Sequence, residues 1–195
     1  MLSIFFAIRV QDTGKLLDYG GFGLAFGLAM ASRVNILPVV GLLIVAAGIR
    51  MLPAFAGGTL AGLRDRSLIA NFGGLVFAGV ISILAFRIFN PYAFMGPGII
   101  PTGINPRWLA DIDTARYLVS GNADSPPNFQ WVGRINYLFP LNSLMIWGLG
   151  LALGITAVGA WIWSGWRVLR GKPGATRNLL LFGWILVYFG WLGGN

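Results

Sequence analysis

Between the charged turn Leu63-Arg64-Asp65-Arg66 and Arg87 lie the twenty residues Ser67 to Phe86, none of them charged and nearly all apolar. A helix rising about 1.5 Å per residue needs about 20 such residues to cross the hydrocarbon core of a bilayer. No water in that core answers backbone N–H and C=O groups, so a segment of this kind must close its hydrogen bonds internally, as a helix. The whole chain is built on that theme: 56% of its 195 residues are hydrophobic and 10% are charged, with a mean hydropathy of +0.75. This is the composition of a lipid-solvated protein. The expected fold class is all-α, a polytopic bundle of about four transmembrane helices with one short re-entrant segment and one large extracytoplasmic loop.

Four regions follow from where the apolar runs stop. Residues 1–19 open on an apolar stretch and then turn polar through Arg9, Asp12, Lys15 and Asp18; this charge order is the reverse of a signal peptide's, and the start resembles the tail of something longer. Residues 20–86 hold membrane segments. Of these, Gly20–Ala31 is twelve residues long, too short to span, and is expected to be re-entrant or half of a broken helix. After Ser32-Arg33-Val34-Asn35, an apolar element runs from Ile36 to about Gly62, with a kink or early end at Arg50 and Pro53. Residues 87–141 carry Asn90-Pro91, Asn105-Pro106 and Ser125-Pro126-Pro127, dipeptides that end helices and make turns, and so form the large loop. Within it Trp108–Val119 lacks Pro and Gly and is expected to form a short surface helix, with Pro106 just before it. Residues 142–195 return to the membrane as Asn142–Trp163 and Asn178–Gly194.

Arg167, Arg170, Lys172 and Arg177 lie between those last two spans without an acid among them, which places Gly165–Arg177 on the cytoplasmic side. Alternation then puts 87–141 outside and Arg64 and Arg66 inside, the latter in agreement with the same rule. Trp161, Trp163 and Trp166 fall at the inner end of their span, with Trp147, Tyr188 and Trp191 near outer ends, as an aromatic belt requires. Fourteen basic against six acidic residues give a net charge of +8. Because these cations lie between apolar runs they are read as anchors to anionic lipid headgroups; no nucleic-acid partner is expected.

The chain has no His, no Cys and no Glu. The usual side-chain ligands of haem, zinc, copper and iron–sulfur clusters are therefore missing, and no metal site or cofactor is expected. Acid–base chemistry would have to come from Asp12, Asp18, Asp65, Asp111, Asp113 and Asp124. Asp111 and Asp113 are two apart and would point to different sides of a helix; a solvated setting is expected for both. Asp124 precedes Ser125-Pro126-Pro127 and fits a turn cap. Arg33 is different in kind. It follows an apolar segment too short to span and precedes another apolar element, so its charge is expected near membrane depth, where cations are paired or functional. A lipid phosphate is one fitting partner, and interfacial anchoring by snorkelling is the alternative. Gly150, Gly154 and Ala157 put small side chains on one helix face, the pattern of close helix packing.

Several stretches resemble GT-C membrane glycosyltransferases, the protein O-mannosyltransferase-like group in particular. Gly23-Leu24-Ala25-Phe26-Gly27-Leu28-Ala29-Met30-Ala31-Ser32-Arg33 is similar to a segment of that group. So are Arg87-Ile88-Phe89-Asn90-Pro91-Tyr92-Ala93-Phe94, Asn105-Pro106-Arg107-Trp108 and Asp124-Ser125-Pro126-Pro127-Asn128-Phe129-Gln130-Trp131 in the loop, and Trp147–Gly154 after it. The resemblance implies a transferase that takes a sugar from a polyprenyl phosphate and passes it to an acceptor outside a bacterial cytoplasmic membrane. It also implies that the family's catalytic acids lie in an outer loop ahead of the matched region. The chain is thus expected to be the middle portion of such a protein, a fragment or a relative without its own catalytic base. Arg33, Asn35, Asp124, Gln130 and Arg134 are the candidate residues for holding lipid-linked substrate. The competing expectation is a non-catalytic accessory subunit that packs against other transmembrane helices or subunits in a larger membrane complex.

Overall fold

The computed structural model describes residues 1–56, 66–119, 135–171 and 174–192. These are almost entirely helical, as an all-α chain should be, and they fall into two units, Met1–Trp108 and Leu109–Asn195.

The first unit begins with α1 (Leu2–Thr13), which stops at Gly14 in the left-handed conformation, φ 62°. Glycine pays no steric cost there, and its N–H satisfies the Val10 carbonyl at 3.0 Å. A second cap comes from Arg50, which donates to the carbonyls of Gln11 (3.3 Å) and Asp12 (3.2 Å). After Lys15 the chain reverses into α2 (Leu16–Ser32). The expected twelve-residue apolar stretch is thus the core of a longer helix of 17 residues, because Leu16–Tyr19 add an N-terminal turn. At that length α2 remains shorter than a full span.

Ser32 ends α2, and Val34–Val39 form a 3-10 turn that contains Pro38. Helix α3 (Val40–Ala56) then continues through Pro53, where a kink or an early end was expected. Helix α4 (Arg66–Phe89) matches the expected span and extends three residues beyond it. Arg87 is therefore helical, not the start of a loop; the helix closes at Asn90, which precedes Pro91. Pro91–Ala93 form one 3-10 turn, and β1 (Phe94–Met95) pairs antiparallel with β2 (Gly103–Ile104).

Helix α5 (Pro106–Val119) follows the hairpin. Proline occupies its first position, where the missing N–H costs nothing. The side chain of Asn105 accepts the Arg107 N–H at 3.0 Å, an N-cap that fixes where the helix starts.

Helices α2 and α4 run parallel, and glycine sets their separation. A Cβ built on Gly23 would lie 2.5 Å from the Ala78 carbonyl oxygen, and one on Gly27 would lie 2.5 Å from that of Ser82 and 2.7 Å from the Ala85 methyl. Tyr19, Phe22 and Phe26 fill the interior on the same helix, and the Tyr19 hydroxyl donates to Asn71 Oδ1 at 3.0 Å in a buried contact. The opposite face of α4 is uncovered among the described residues: Ile69, Phe72, Val76 and Val80 are each at least half exposed.

Among the described residues, two stretches have the length and apolarity to cross a membrane, Val34–Met51 (18 residues) and Leu68–Phe89 (22 residues). Only 28% of each is buried, whereas a soluble protein hides most of such a helix, so an apolar solvent is the consistent setting for both.

In the second unit, the apolar run Asn142–Trp163 is not one helix. It divides into α6 (Leu138–Ser143), a π-type turn at Leu144–Gly148, and α7 (Leu151–Leu169). The break is Gly150, at φ 77° and ψ 153°, a conformation that only glycine adopts at low cost. Helix α8 (Ala175–Leu192) packs on α7, where Trp161 stacks on Phe182 with centroids 5.0 Å apart and Gly165 admits the same ring.

Candidate functional site

The parallel register of α2 and α4 brings their C-terminal ends to the same end of the first unit. A cavity of about 480 Å³ opens there, within the range of about 300–1,000 Å³ typical of ligand pockets. Phe26, Gly27 and Met30 of α2 form one wall, and Ser82, Ile83 and Phe86 of α4 form another. Leu37 of the 3-10 turn closes a third side. The hairpin covers the remainder with Phe94 from one limb and residues 101–104 from the other. The walls offer almost no polarity. Ser82 donates its hydroxyl hydrogen to the Ala78 carbonyl at 2.7 Å, as helical serines do. Among the described residues no acid lines the space.

Arg33 lies between Met30 and Leu37, both wall residues. Its backbone N–H closes α2 on the Ala29 carbonyl at 2.8 Å. Its side chain is exposed and, among the described residues, has no hydrogen-bond or ion-pair partner. Asn35, also exposed, sits two residues further on in the 3-10 turn. The structure thus places Arg33 and Asn35 in the segment that joins two cavity walls. Asp124, Gln130 and Arg134 lie outside the described residues.

The proposed small-residue stripe is divided. Gly150 precedes α7 and has open space around it, Gly154 abuts the backbone of Met145 in the preceding turn, and Ala157 is exposed. The close approach at Gly154 therefore serves the chain's own reversal. Between helices, close approach occurs at Gly23 and Gly27, whose spacing of four carried the same signal.

Of the acids, Asp18 is committed to structure. It is buried, accepts from Arg9 Nε at 2.7 Å and accepts from the Thr13 hydroxyl. Asp111 and Asp113 lie on the exposed surface of α5, where Asp113 stands 3.6 Å from Arg116. No group of three acids that could hold a metal ion occurs among the described residues.

One structural element at the cavity was not foreseen from the sequence. Arg87 is 7% exposed and makes no carboxylate contact among the described residues. Its guanidinium instead donates to the carbonyls of Pro91 (2.9 Å), Phe94 (3.4 Å), Gly98 (2.8 Å) and Gly96. The only signal was a cation just before a Gly- and Pro-rich segment with no acid in it, a segment able to offer carbonyls and little else.

In the second unit, the guanidinium groups of Arg167 and Arg170 each lie 4.9 Å from the ring centroid of an indole one turn earlier, Trp163 and Trp166. This cation–π pairing leaves guanidinium edges beside exposed aromatic surface. Compared with family models, curated proteins and solved structures, the chain matches none.

Proposed function

We propose that this chain is the membrane-embedded part of a glycosyltransferase-like protein, and that it holds a polyprenyl-phosphate-linked sugar donor with the apolar tail in the α2–α4 cavity and the phosphate at Arg33. The observation that carries this reading is the joining of an apolar cavity to an exposed arginine, with no acid at the first and no partner for the second among the described residues. A tail can pass from lipid to such apolar walls at little cost, since lipid and walls are alike apolar, and a guanidinium prefers a phosphate to any neutral acceptor. On this reading α3, α4, α7 and α8 are the four spans, α2 is the short buried segment, and the Arg33 end faces the extracytoplasmic side of a bacterial cytoplasmic membrane. On this reading the catalytic acid comes from outside the described residues, because Asp18 is engaged by Arg9 and no other acid among those residues lines the cavity.

A second reading, a non-catalytic subunit that fills space in a larger membrane complex, is favoured by the exposed stripe of α4 from Ile69 to Val80. Binding separates the two. Purified protein in nanodiscs is titrated with a fluorescent polyprenyl phosphate and with the matching polyprenol. The donor-site reading expects the phosphate to bind more tightly and Arg33→Gln to weaken it by about tenfold or more, the loss of one charge-assisted hydrogen bond. Equal binding of phosphate and alcohol, or an Arg33→Gln protein that binds as the parent does, would leave the subunit reading standing instead.

A further inference from the structure

We infer that Arg87 is the positioning residue that fixes the roof of the cavity, and that it thereby sets how long an apolar tail the cavity accepts. The inference rests on the tail-binding reading above.

The roof cannot hold itself. Its two strands share only the pairs Phe94–Ile104 and Met95–Gly103, supplemented by the Thr102 N–H on the Met95 carbonyl at 3.2 Å and the Asn105 N–H on the Ala93 carbonyl at 3.0 Å. A two-stranded hairpin of this size is at best marginally stable alone. Its tip is apolar and exposed, with Ile99 66% and Ile100 82% accessible, so packing does not secure it.

Arg87 supplies the missing fixation. Its Nη1 reaches the carbonyls at the root of the hairpin, Pro91 and Phe94, while Nη2 and Nε reach those near the tip, Gly96 and Gly98. One planar group thus ties four points of a single limb to the last turn of α4. The guanidinium also lies 5.8 Å from the Phe94 ring centroid, and that ring meets Phe86 edge-on at 5.0 Å. Both rings line the cavity. Since β2 hangs on β1, residues 101–104 take their position from the limb that Arg87 holds. Lysine is a poor substitute: an ammonium has three donors at one point and cannot span the same four carbonyls. A displaced roof alters the depth of the cavity but leaves Arg33, on another element, where it was. Tail length and headgroup recognition therefore belong to different residues.

Decyl, tetradecyl and octadecyl phosphate, bound to the full chain in nanodiscs and read by native mass spectrometry, separate the two roles. The expected wild-type profile has a cutoff, with affinity falling at least several-fold past one tail length. In Arg87→Lys and Arg87→Gln the cutoff flattens while decyl phosphate binds as before. In Arg33→Gln all three weaken together and the cutoff stays. Phe94→Ala, which takes a ring out of the roof and its contact with the guanidinium but keeps the four carbonyls that Arg87 holds, moves the cutoff to longer tails and serves should either Arg87 variant fail to fold. A wild type that binds none of the three overturns the donor-site reading and this inference with it. Binding without a cutoff, a cutoff unchanged in Arg87→Lys, or a cutoff unchanged in Phe94→Ala overturns the inference alone.

Discussion

Arg9 and Asp18 face each other across the turn between α1 and α2, with Nε donating to Oδ1 at 2.7 Å, and the two ends of the pair live in different media: the arginine side chain is 46% exposed and the aspartate 4%. Asp18→Asn keeps the shape but leaves Arg9 without its anion and the Thr13 hydroxyl with a weaker acceptor. The expected loss is about 1.5–3 kcal/mol, the scale of a charge-assisted hydrogen bond, read as a lower midpoint in thermal unfolding in detergent. Ligand binding in the surviving folded protein should be unchanged, because Asp18 does not line the cavity. Undiminished stability would mean that the pair is a bystander.

Tyr19→Phe removes the hydroxyl that reaches Asn71 Oδ1. Hydrogen bonds between membrane helices contribute about 0.6 kcal/mol on average and up to about 1.7, so a small loss within that range is expected. The companion Asn71→Leu should cost little once Tyr19 is already Phe. A double-mutant cycle reads the coupling, and purely additive losses would show that the bond contributes nothing.

Gly27→Ala sets a methyl against the Ser82 carbonyl and the Ala85 side chain, backbone and near-backbone atoms that cannot swing away. Overpacking of this kind costs about 1–3 kcal/mol. Gly79, on α4, has nothing within 4 Å of a built Cβ, and Gly79→Ala should instead gain about 0.5–1 kcal/mol from lost unfolded-state freedom. The two substitutions should thus shift the midpoint in opposite directions. Shifts of the same sign would contradict the packing described for α2 and α4.

Asn105→Ala removes the N-cap of α5 and also the amide that donates to the Tyr92 carbonyl at 2.9 Å. A lost cap costs about 1 kcal/mol, within about 0.5–2. Hydrogen exchange should quicken in the first turn of α5 and in the Pro91–Ala93 turn, and leave α1 and α2 untouched. Uniform quickening through the first unit would instead point to global destabilisation.

Helix α4 was legible because length and apolarity suffice to specify a span, and α5 because fourteen residues without an internal glycine leave the backbone little else to do. The break at Gly150 was not. Hydropathy counts apolar atoms and is blind to φ, so Asn142–Trp163 reads as continuous although the backbone turns through a conformation reserved for glycine. The same blindness affected the glycine stripes. Spacing of four occurs at Gly23–Gly27 and at Gly150–Gly154, but only tertiary placement tells which pair faces a neighbouring helix. Arg33 stood out by position alone. Arg87 did not, because its partners are main-chain carbonyls, and carbonyls leave no mark in a sequence.

The contact between Tyr19 and Asn71 joins residues 52 apart in the chain, and that interval sets a timetable for biosynthesis. When α1 and α2 leave the ribosome, the glycine face of α2 has no helix to meet; α3 emerges next, and the partner arrives only with α4. Until Phe86 has been made, Gly23 and Gly27 stay uncovered. A nonsense codon upstream of Arg66 would leave α2 packed on α1 with its Gly23–Gly27 face permanently uncovered.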